Sequence, residues 1–291
     1  MTRYALVTAA HNEAAFIERA LRSVLAQSLL PCAWIIVSDA STDDTDAVVQ
    51  KYADAFPFIQ LMRRERGAGR SFGSKVEAVR AGFSRLSGVQ YDFIGNLDAD
   101  ITLDPGYFAG LIAKFNADPD LGIGGGWIQE DNGGGFRSRA CNLIDSVPHA
   151  VQLLRRACYE QIGDFVPLPY GGEDTCAVFL ARMQGWKAQA FEDLPVRHHR
   201  RTASSGGALR NRIRQGRADY SLGYHPAFEV LKCLRRVGEP PYVIGASTWL
   251  VGYMLEALRR QPRPVSAEFV EYLRTYQRGR MRRLAARPFG S

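Results

Sequence analysis

Residues 91–100, YDFIGNLDAD, constrain this chain more than any other stretch. A short apolar run, Tyr91, Phe93, Ile94 and Leu97, ends in two acids one residue apart, Asp98 and Asp100. An apolar run of this length between polar residues reads as a buried strand. Two carboxylates at its carboxyl end then stand at the mouth of a sheet, where open α/β sheets bind their ligands. Paired carboxylate oxygens suit a hard divalent cation, Mg2+ or Mn2+, which in turn can hold phosphates. The competing reading is a polar loop after a strand.

The residues before that stretch alternate strand and helix. Residues 4–8 (YALVT) read as a first buried strand, and residues 13–27 as a helix with Phe16, Ile17, Ala20, Leu21, Val24 and Leu25 at helical spacing. Residues 34–37 read as a second strand, 44–52 as a helix, 58–62 as a third strand and 74–86 as a helix. Such alternation predicts a doubly wound nucleotide-binding half. No GxGxxG follows the first strand and no GxxxxGK[ST] occurs anywhere, which argues against a dinucleotide site and a P-loop. Beyond Asp100 the pattern changes. A helix is expected to about residue 115, and the glycine-heavy residues 122–135 read as turns and a mobile loop. Residues 152–162 read as helix or mixed structure, 175–184 as a helix closed by Gly185, and 187–191 as a short strand. Helices are expected over 208–220 and 266–285. Residues 242–258 are apolar but fall short of the roughly 20 residues a membrane span needs.

Charge divides the chain. Residues 197–291 carry 19 Lys and Arg against 6 Asp and Glu, whereas residues 1–196 are net acidic within an overall +7. An acidic body with a basic C-terminal third suggests a catalytic domain, 1–205, followed by a helical extension, 206–291, that meets an anionic surface. The five cysteines form no CxxC pair and leave one over, which fits a reducing compartment rather than a disulfide framework. No signal peptide is expected ahead of the first strand, since residues 4–8 already read as structure. A cytoplasmic location is expected, with peripheral association at the inner membrane face through the basic last helix as the further expectation.

Five stretches in order, LVTAAHNEAAFIERALRSVLAQ, WIIVSDASTDDT, NLDADI, GGEDT and VRHHRR, resemble the family 2 glycosyltransferases with the GT-A fold, a Rossmann-like mixed sheet flanked by helices. The resemblance covers about residues 4–201 and is nearest to bacterial enzymes of exopolysaccharide and surface-glycan synthesis. It implies an inverting, metal-dependent transfer from a UDP-, GDP- or dTDP-sugar to a saccharide or lipid-linked saccharide hydroxyl. Asp39 matches the acid that binds the base, where the family usually has DDGS and this chain has SDAS. A carboxylate at a strand end can accept from a base N–H; the bland reading of Asp39 is a helix cap. Ala9, His11, Asn12 and Glu13 match the nucleotide pocket, together with Arg70, Lys75, Asp98, Ala99 and Asp100. Asp100 and a histidine, His198 in preference to His199, match the metal ligands, with Mn2+ or Mg2+ as cofactor. Adjacent strand residues point opposite ways, so only one histidine can serve. Asp174 matches the general base, with Glu173 beside it raising its pKa by repulsion; capping the following helix is the bland reading of both acids. Trp127 and Arg155 join Glu173 as acceptor-side candidates, and Arg66, Arg200 and Arg201 could neutralise a diphosphate. A sugar nucleotidyltransferase would be expected to carry a glycine-rich GxGTR-type loop after the first strand, and TAAHNE is not one. A non-catalytic glycan or nucleic-acid binder is the remaining alternative. The basic residues 197–217 lack interleaved aromatics, so no nucleic-acid partner is expected.

Overall fold

The computed structural model of the chain describes residues 2–65, 72–131, 133–139, 142–200 and 207–285. In chain order the elements are β1 (Tyr4–Ala10), α1 (Ile17–Leu25), β2 (Ala33–Asp39), α2 (Thr45–Ala55), β3 (Ile59–Arg64), α3 (Phe72–Arg85), β4 (Phe93–Leu97), β5 (Ile101–Leu103) and α4 (Tyr107–Ala117). There follow β6 (Leu121–Asp131), β7 (Phe136–Ser138), β8 (Val151–Arg155), α5 (Arg156–Ile162), α6 (Glu173–Met183) and β9 (Lys187–His198). The chain closes with α7 (Ala208–Ser221), α8 (Pro226–Arg235), α9 (Tyr242–Leu258) and α10 (Ala267–Ala285).

The strands form one mixed sheet in the order β3-β2-β1-β4-β8-β6-β9-β5, with β7 paired to β6. The first four are parallel, whereas β8 runs antiparallel to β4 and to β6. The chain leaves β1 for β2 and β3 on one side and returns to β4 on the other. That reversal opens a crevice at the carboxyl ends of β1 and β4, the place where open α/β sheets take ligands. Strands buried on both faces read as continuous apolar runs, and β1 does so. Tyr4 and Leu6 face a core with α1, α2 and α4, while Ala5 and Val7 face a second core with α3, α5 and α6. In α1 the buried Ile17, Ala20, Leu21 and Val24 form the inward stripe that the spacing predicts.

The glycine-heavy residues 122–135 are not chiefly a mobile loop. Most of them lie in β6, an 11-residue strand inside the sheet. A Cβ on Gly124 would lie 2.9 Å from the Phe115 ring, and one on Gly125 would lie 2.6 Å from the Val151 carbonyl. On Gly126 it would run into the carbonyl oxygen of Leu194. The glycines are there because backbone and aromatic rings approach from both sides. Of residues 152–162, read above as helix or mixed, 152–155 lie in β8 and 156–162 form α5. The short strand expected at 187–191 extends to His198 as β9.

Two compact units divide the chain: Met1–Phe165 with Glu173–Thr202, and Val166–Gly172 with Ala203–Ser291. The short segment joins the second unit through Arg214, which donates to the Tyr170 carbonyl at 2.9 Å, and Arg217, which lies over the Tyr170 ring. In the second unit α7 and α9 cross with almost no gap. A Cβ on Gly216 would collide with the Trp249 carbonyl, and one on Gly252 with that of Ile213. A buried charge cluster lies beside them. Asp219 accepts from Trp249 Nε1 at 2.6 Å and pairs with Lys232, which also pairs with Glu229 at 3.0 Å. The four described cysteines are free thiols. No described helix is long and apolar enough to cross a membrane.

Candidate active site

The first wall is built from the loops after β1 and β2. Asn12 Oδ1 accepts from the Thr42 amide at 2.8 Å, Ser41 Oγ accepts from the Asn12 amide at 3.2 Å, and Thr45 Oγ1 accepts from the Glu13 amide at 2.8 Å. Asp43 adds a further tie by accepting from the Ala14 amide. Asn12 and Ala40 both have left-handed backbone, φ 56° and 54°. That conformation costs an alanine roughly 1–2 kcal/mol. Ala40 stands where the resembling family usually has glycine, which explains the family's residue. Asp39 is buried at the end of β2. Its carboxylate lies 3.1 Å from Arg64, and His11 Nδ1 lies 2.7 Å from its carbonyl oxygen. Arg64 also reaches Glu77 and the Ser74 carbonyl on α3, one residue before Lys75. Ala9 sits opposite Val37 in the β1–β2 pair.

The second wall is the turn that ends β4. Lys75 from α3 lies 2.7 Å from the Asp98 carboxylate. Burial pushes Asp98 upward, but Lys75 and the neighbouring His149 more than offset it and hold the carboxyl below its usual range. Burial likewise pulls on Lys75, yet Asp98, Glu173 and Asp100 around it leave its ammonium held more firmly than usual. Ala99 is buried between the two acids. His198, at the end of β9, brings Nε2 to 3.3 Å from Asp100 Oδ1, and its Nδ1 lies 4.0 Å from Glu130 on β6. His199 points the other way, with Nε2 2.8 Å from Thr102 Oγ1 and its ring edge-on to Phe136. Arg200 clasps Glu13 with two hydrogen bonds, 3.0 and 2.6 Å, and lies 3.7 Å from Asp100. Burial pushes Glu13 up to about 7 despite Arg200, with Asp100 and Asp98 adding to the rise.

Glu173 and Asp174 open α6. Glu173 is buried and its pKa is raised, first by burial and then by the adjoining Asp174 and by Asp98. Asp174 is half-buried, and its Oδ1 accepts from the Thr175 amide at 2.7 Å. Electrostatic coupling therefore runs from Glu13 through Asp100, Asp98 and Lys75 to Glu173, beside Asp174. Of the acceptor-side candidates, one stands apart from this group. Arg155 is a correction: β8 runs antiparallel to β4, so Arg155 pairs with Phe93, at the end of β4 away from Asp98. There it donates to the carbonyls of Phe115, Asp118 and Leu121 and caps the end of α4. Trp127 on β6 donates to Ser138 Oγ at 2.6 Å. Arg66, Arg70 and Arg201 lie outside the described residues. His149 is the residue that sequence reading missed. It is buried and contacts Asn96, and burial and Lys75 hold its pKa down at about 3. A lone histidine in a PHA tripeptide carries no signal.

Among the described residues no three His, Cys, Asp or Glu side chains form a ready-made metal cage. Asp100 and His198 nonetheless suit a cation that takes its other ligands from phosphate and water. Neighbouring ligands at about 2.1 Å from a metal lie roughly 3 Å apart in octahedral geometry, close to the 3.3 Å seen. Asp98, committed to Lys75, is the poorer donor.

The model for glycosyl transferase family 2 matches residues 5–169. The chain belongs to glycosyl transferase family 2. The match spans Asp39, Asp98 and Asp100 and ends before Asp174 and His198. Poly-β-1,6-N-acetyl-D-glucosamine synthase of Staphylococcus aureus is 32% identical over 115 residues, 39% of this chain and 26% of that protein. The chain thus spans about a quarter of the length of this curated relative. Among solved structures, the mannosyltransferase PcManGT of Pyrobaculum calidifontis, in complex with GDP-Man and Mn2+, superposes with a TM-score of 0.55 at 17% identity, covering 97% of this chain and 80% of that one. GalNAc-T7 with UDP, GalNAc and Mn2+ gives a TM-score of 0.63 at 14% identity, over 94% of this chain and 54% of that one. The GT-A fold expected from the five sequence stretches is borne out.

Proposed function

We propose that this family 2 protein transfers a sugar from a nucleoside-diphosphate donor to a hydroxyl of a saccharide or lipid-linked saccharide, with inversion at the anomeric carbon. One observation carries the reading. Glu13, Asp98 and Asp100 gather at the switch-point crevice and interact through Lys75 with Glu173, which opens α6 beside Asp174. The nucleotide-bound neighbours and the poly-N-acetylglucosamine synthase relative support the donor class and the saccharide acceptor.

Asp39 and the stitched loops hold the base and ribose. Asp100 and His198 would hold a divalent cation, Mn2+ or Mg2+; imidazole favours Mn2+. Bound there, such a cation would supply positive charge to offset that building on the departing diphosphate. Lys75 keeps Asp98 ionised and in place. Arg200, now on Glu13 and near Asp100, is placed to turn to an entering diphosphate. Asp174 is held through Oδ1 by the Thr175 amide, which leaves Oδ2 to take the proton from the acceptor hydroxyl. That oxygen attacks the anomeric carbon from the face opposite the diphosphate. Glu173, buried and of raised pKa, stays protonated further up the pH scale and so limits the negative charge beside Asp174.

The test is release of nucleoside diphosphate from a panel of UDP-, GDP- and dTDP-sugars with Mn2+ and oligosaccharide acceptors, for the parent and Asp174→Asn. Loss of a general base costs about 10²–10⁴-fold in turnover. Donor binding, read by thermal shift, should survive the substitution. Normal turnover by Asp174→Asn overturns the assignment of the base.

A further inference from the structure

The second unit holds most of the large hydrophobic side chains that are exposed among the described residues. Of the 14 large hydrophobic side chains exposed among the described residues, 11 lie in it, although it is the smaller unit. They concentrate on α8 and α9. Along α9, Val243, Ile244, Ser247, Val251, Met254 and Leu258 fall on one arc of the helix and are all exposed, Ile244 by 61% and Leu258 by 76%. Ser247 alone on that arc is polar, and none of the six is charged. The arc runs the length of a 17-residue helix, about 25 Å at 1.5 Å per residue. On α8, which packs against α9 through Cys233, Ala246 and Trp249, Val230, Leu231 and Leu234 are exposed as well.

The exposed charge of this unit is mainly positive. Eight arginines of the second unit are exposed among the described residues, against three acids, Glu239, Glu268 and Glu271. The other acids, Asp219, Glu229 and Glu256, are buried and paired. Just past Leu258, a cavity of about 420 Å³ is lined by Arg260 and Arg263 together with Tyr220, Pro262 and Val265. Two guanidinium groups on apolar walls suit a phosphate with hydrocarbon attached.

We propose that the apolar face of α8 and α9 docks on the surface of an anionic lipid bilayer, lying in the interface without crossing it. An uncharged apolar stripe that runs into Arg259 and Arg260, on a unit whose exposed charge is mainly positive, is the pattern that lies in the headgroup region and responds to acidic lipid. A second copy of this chain fits less well, because a two-fold contact would bring two net-positive units together. The site differs from that expected of the basic last helix. In α10 the apolar Phe269 and Leu273 are buried in the unit and Leu284 is the one large hydrophobic exposed among its described residues, so that helix offers lipid less apolar surface than α8 and α9.

The experiment is co-sedimentation of the 291-residue chain with vesicles of phosphatidylcholine alone or with added phosphatidylglycerol. Sedimentation equilibrium without vesicles runs in parallel. The parent should bind the mixed vesicles and bind the neutral ones weakly. Val251→Ser with Met254→Ser, both exposed and so tolerated by the fold, should lower binding at least tenfold. Arg235→Gln with Arg260→Gln should lower it roughly thirtyfold, taking about fivefold per arginine. An unchanged circular dichroism spectrum shows that the variants are folded. Equal binding to neutral and mixed vesicles overturns the proposal, and so does binding that survives the serine pair. A dimer that the serine pair dissociates makes a second copy the occupant. None of these readouts needs transfer activity, so the transferase reading stands or falls separately.

Discussion

Gly126→Ala should be among the most damaging single-methyl additions in the first unit. The new Cβ meets the Leu194 carbonyl oxygen, with Val196 Cγ2 at 2.6 Å and Tyr107 Cε2 at 2.7 Å. A side chain can rotate away, but the carbonyl belongs to β9 itself. Relief therefore requires β6 and β9 to part, at the point where their register already shifts between Gly126 and Trp127. Overpacking costs about 1–3 kcal/mol, and each ladder hydrogen bond weakened adds about 1 kcal/mol. A total of about 2–4 kcal/mol lowers the melting temperature of a unit this size by roughly 4–16 °C. The matched control is Gly134→Ala, where nothing lies within 4 Å and the backbone is not left-handed. It should leave stability unchanged or raise it by about 0.4–1 kcal/mol through the unfolded chain. Thermal melts followed by circular dichroism compare the two. Because β9 ends in His198, the Gly126 variant should also lose Mn2+-dependent stabilisation by nucleotide. If it melts with the parent, close packing is not why residues 122–126 carry glycines.

Ala40→Gly should stabilise. Removing roughly 1–2 kcal/mol of left-handed strain outweighs about 0.4–1 kcal/mol of added chain entropy, and an unchanged or lower melting temperature argues against strain in that loop. Glu229 is pushed up to about 7 by burial and by Asp219, against the pull of Lys232. A carboxyl raised on folding binds more protons in the native state, so its stabilisation is full below about 4.5 and is lost as pH rises through 7. The loss is at most about 3 kcal/mol. Urea midpoints of the parent between pH 5 and 8 should fall with pH, and Glu229→Gln should flatten that slope; a parent that is flat across the range refutes it. His198→Ala should weaken Mn2+-dependent nucleotide binding by about tenfold or more, since even outer-shell partners of a metal cost that much. His199→Ala should leave it unchanged, and calorimetric titration with UDP and Mn2+ separates the two.

The parallel half of the sheet was legible because strands buried on both faces are unbroken apolar runs, and the helices between them show their period. The register of β9 was not written in any local pattern, yet it decides that His198 rather than His199 meets Asp100. Arg155 was misplaced for a related reason. Its position depends on β8 running back against β4, a pairing between residues some sixty apart that no spacing displays. The glycines of β6 carried the composition of a loop, because composition records conformational freedom and not the crowding that removes every Cβ. His149 matters through its neighbours Asn96, Asp98 and Lys75, which come from other segments of the chain. Helix α8 escaped notice because its ten residues expose Val230, Leu231 and Leu234, so its apolar positions do not trace one inward stripe.

The paired glycines where α7 meets α9 fix how α9 is rolled about its own axis. With Gly216 against the Trp249 carbonyl and Gly252 against that of Ile213, the two backbones interlock, and a methyl on either would force a rotation or a separation. Any rotation would carry Val251 and Met254 with it. The direction in which those side chains point is therefore set from the opposite side of the helix. Mutations at Gly216, a residue remote in sequence from the stripe, should alter whatever Val251 and Met254 touch as surely as changing those residues themselves.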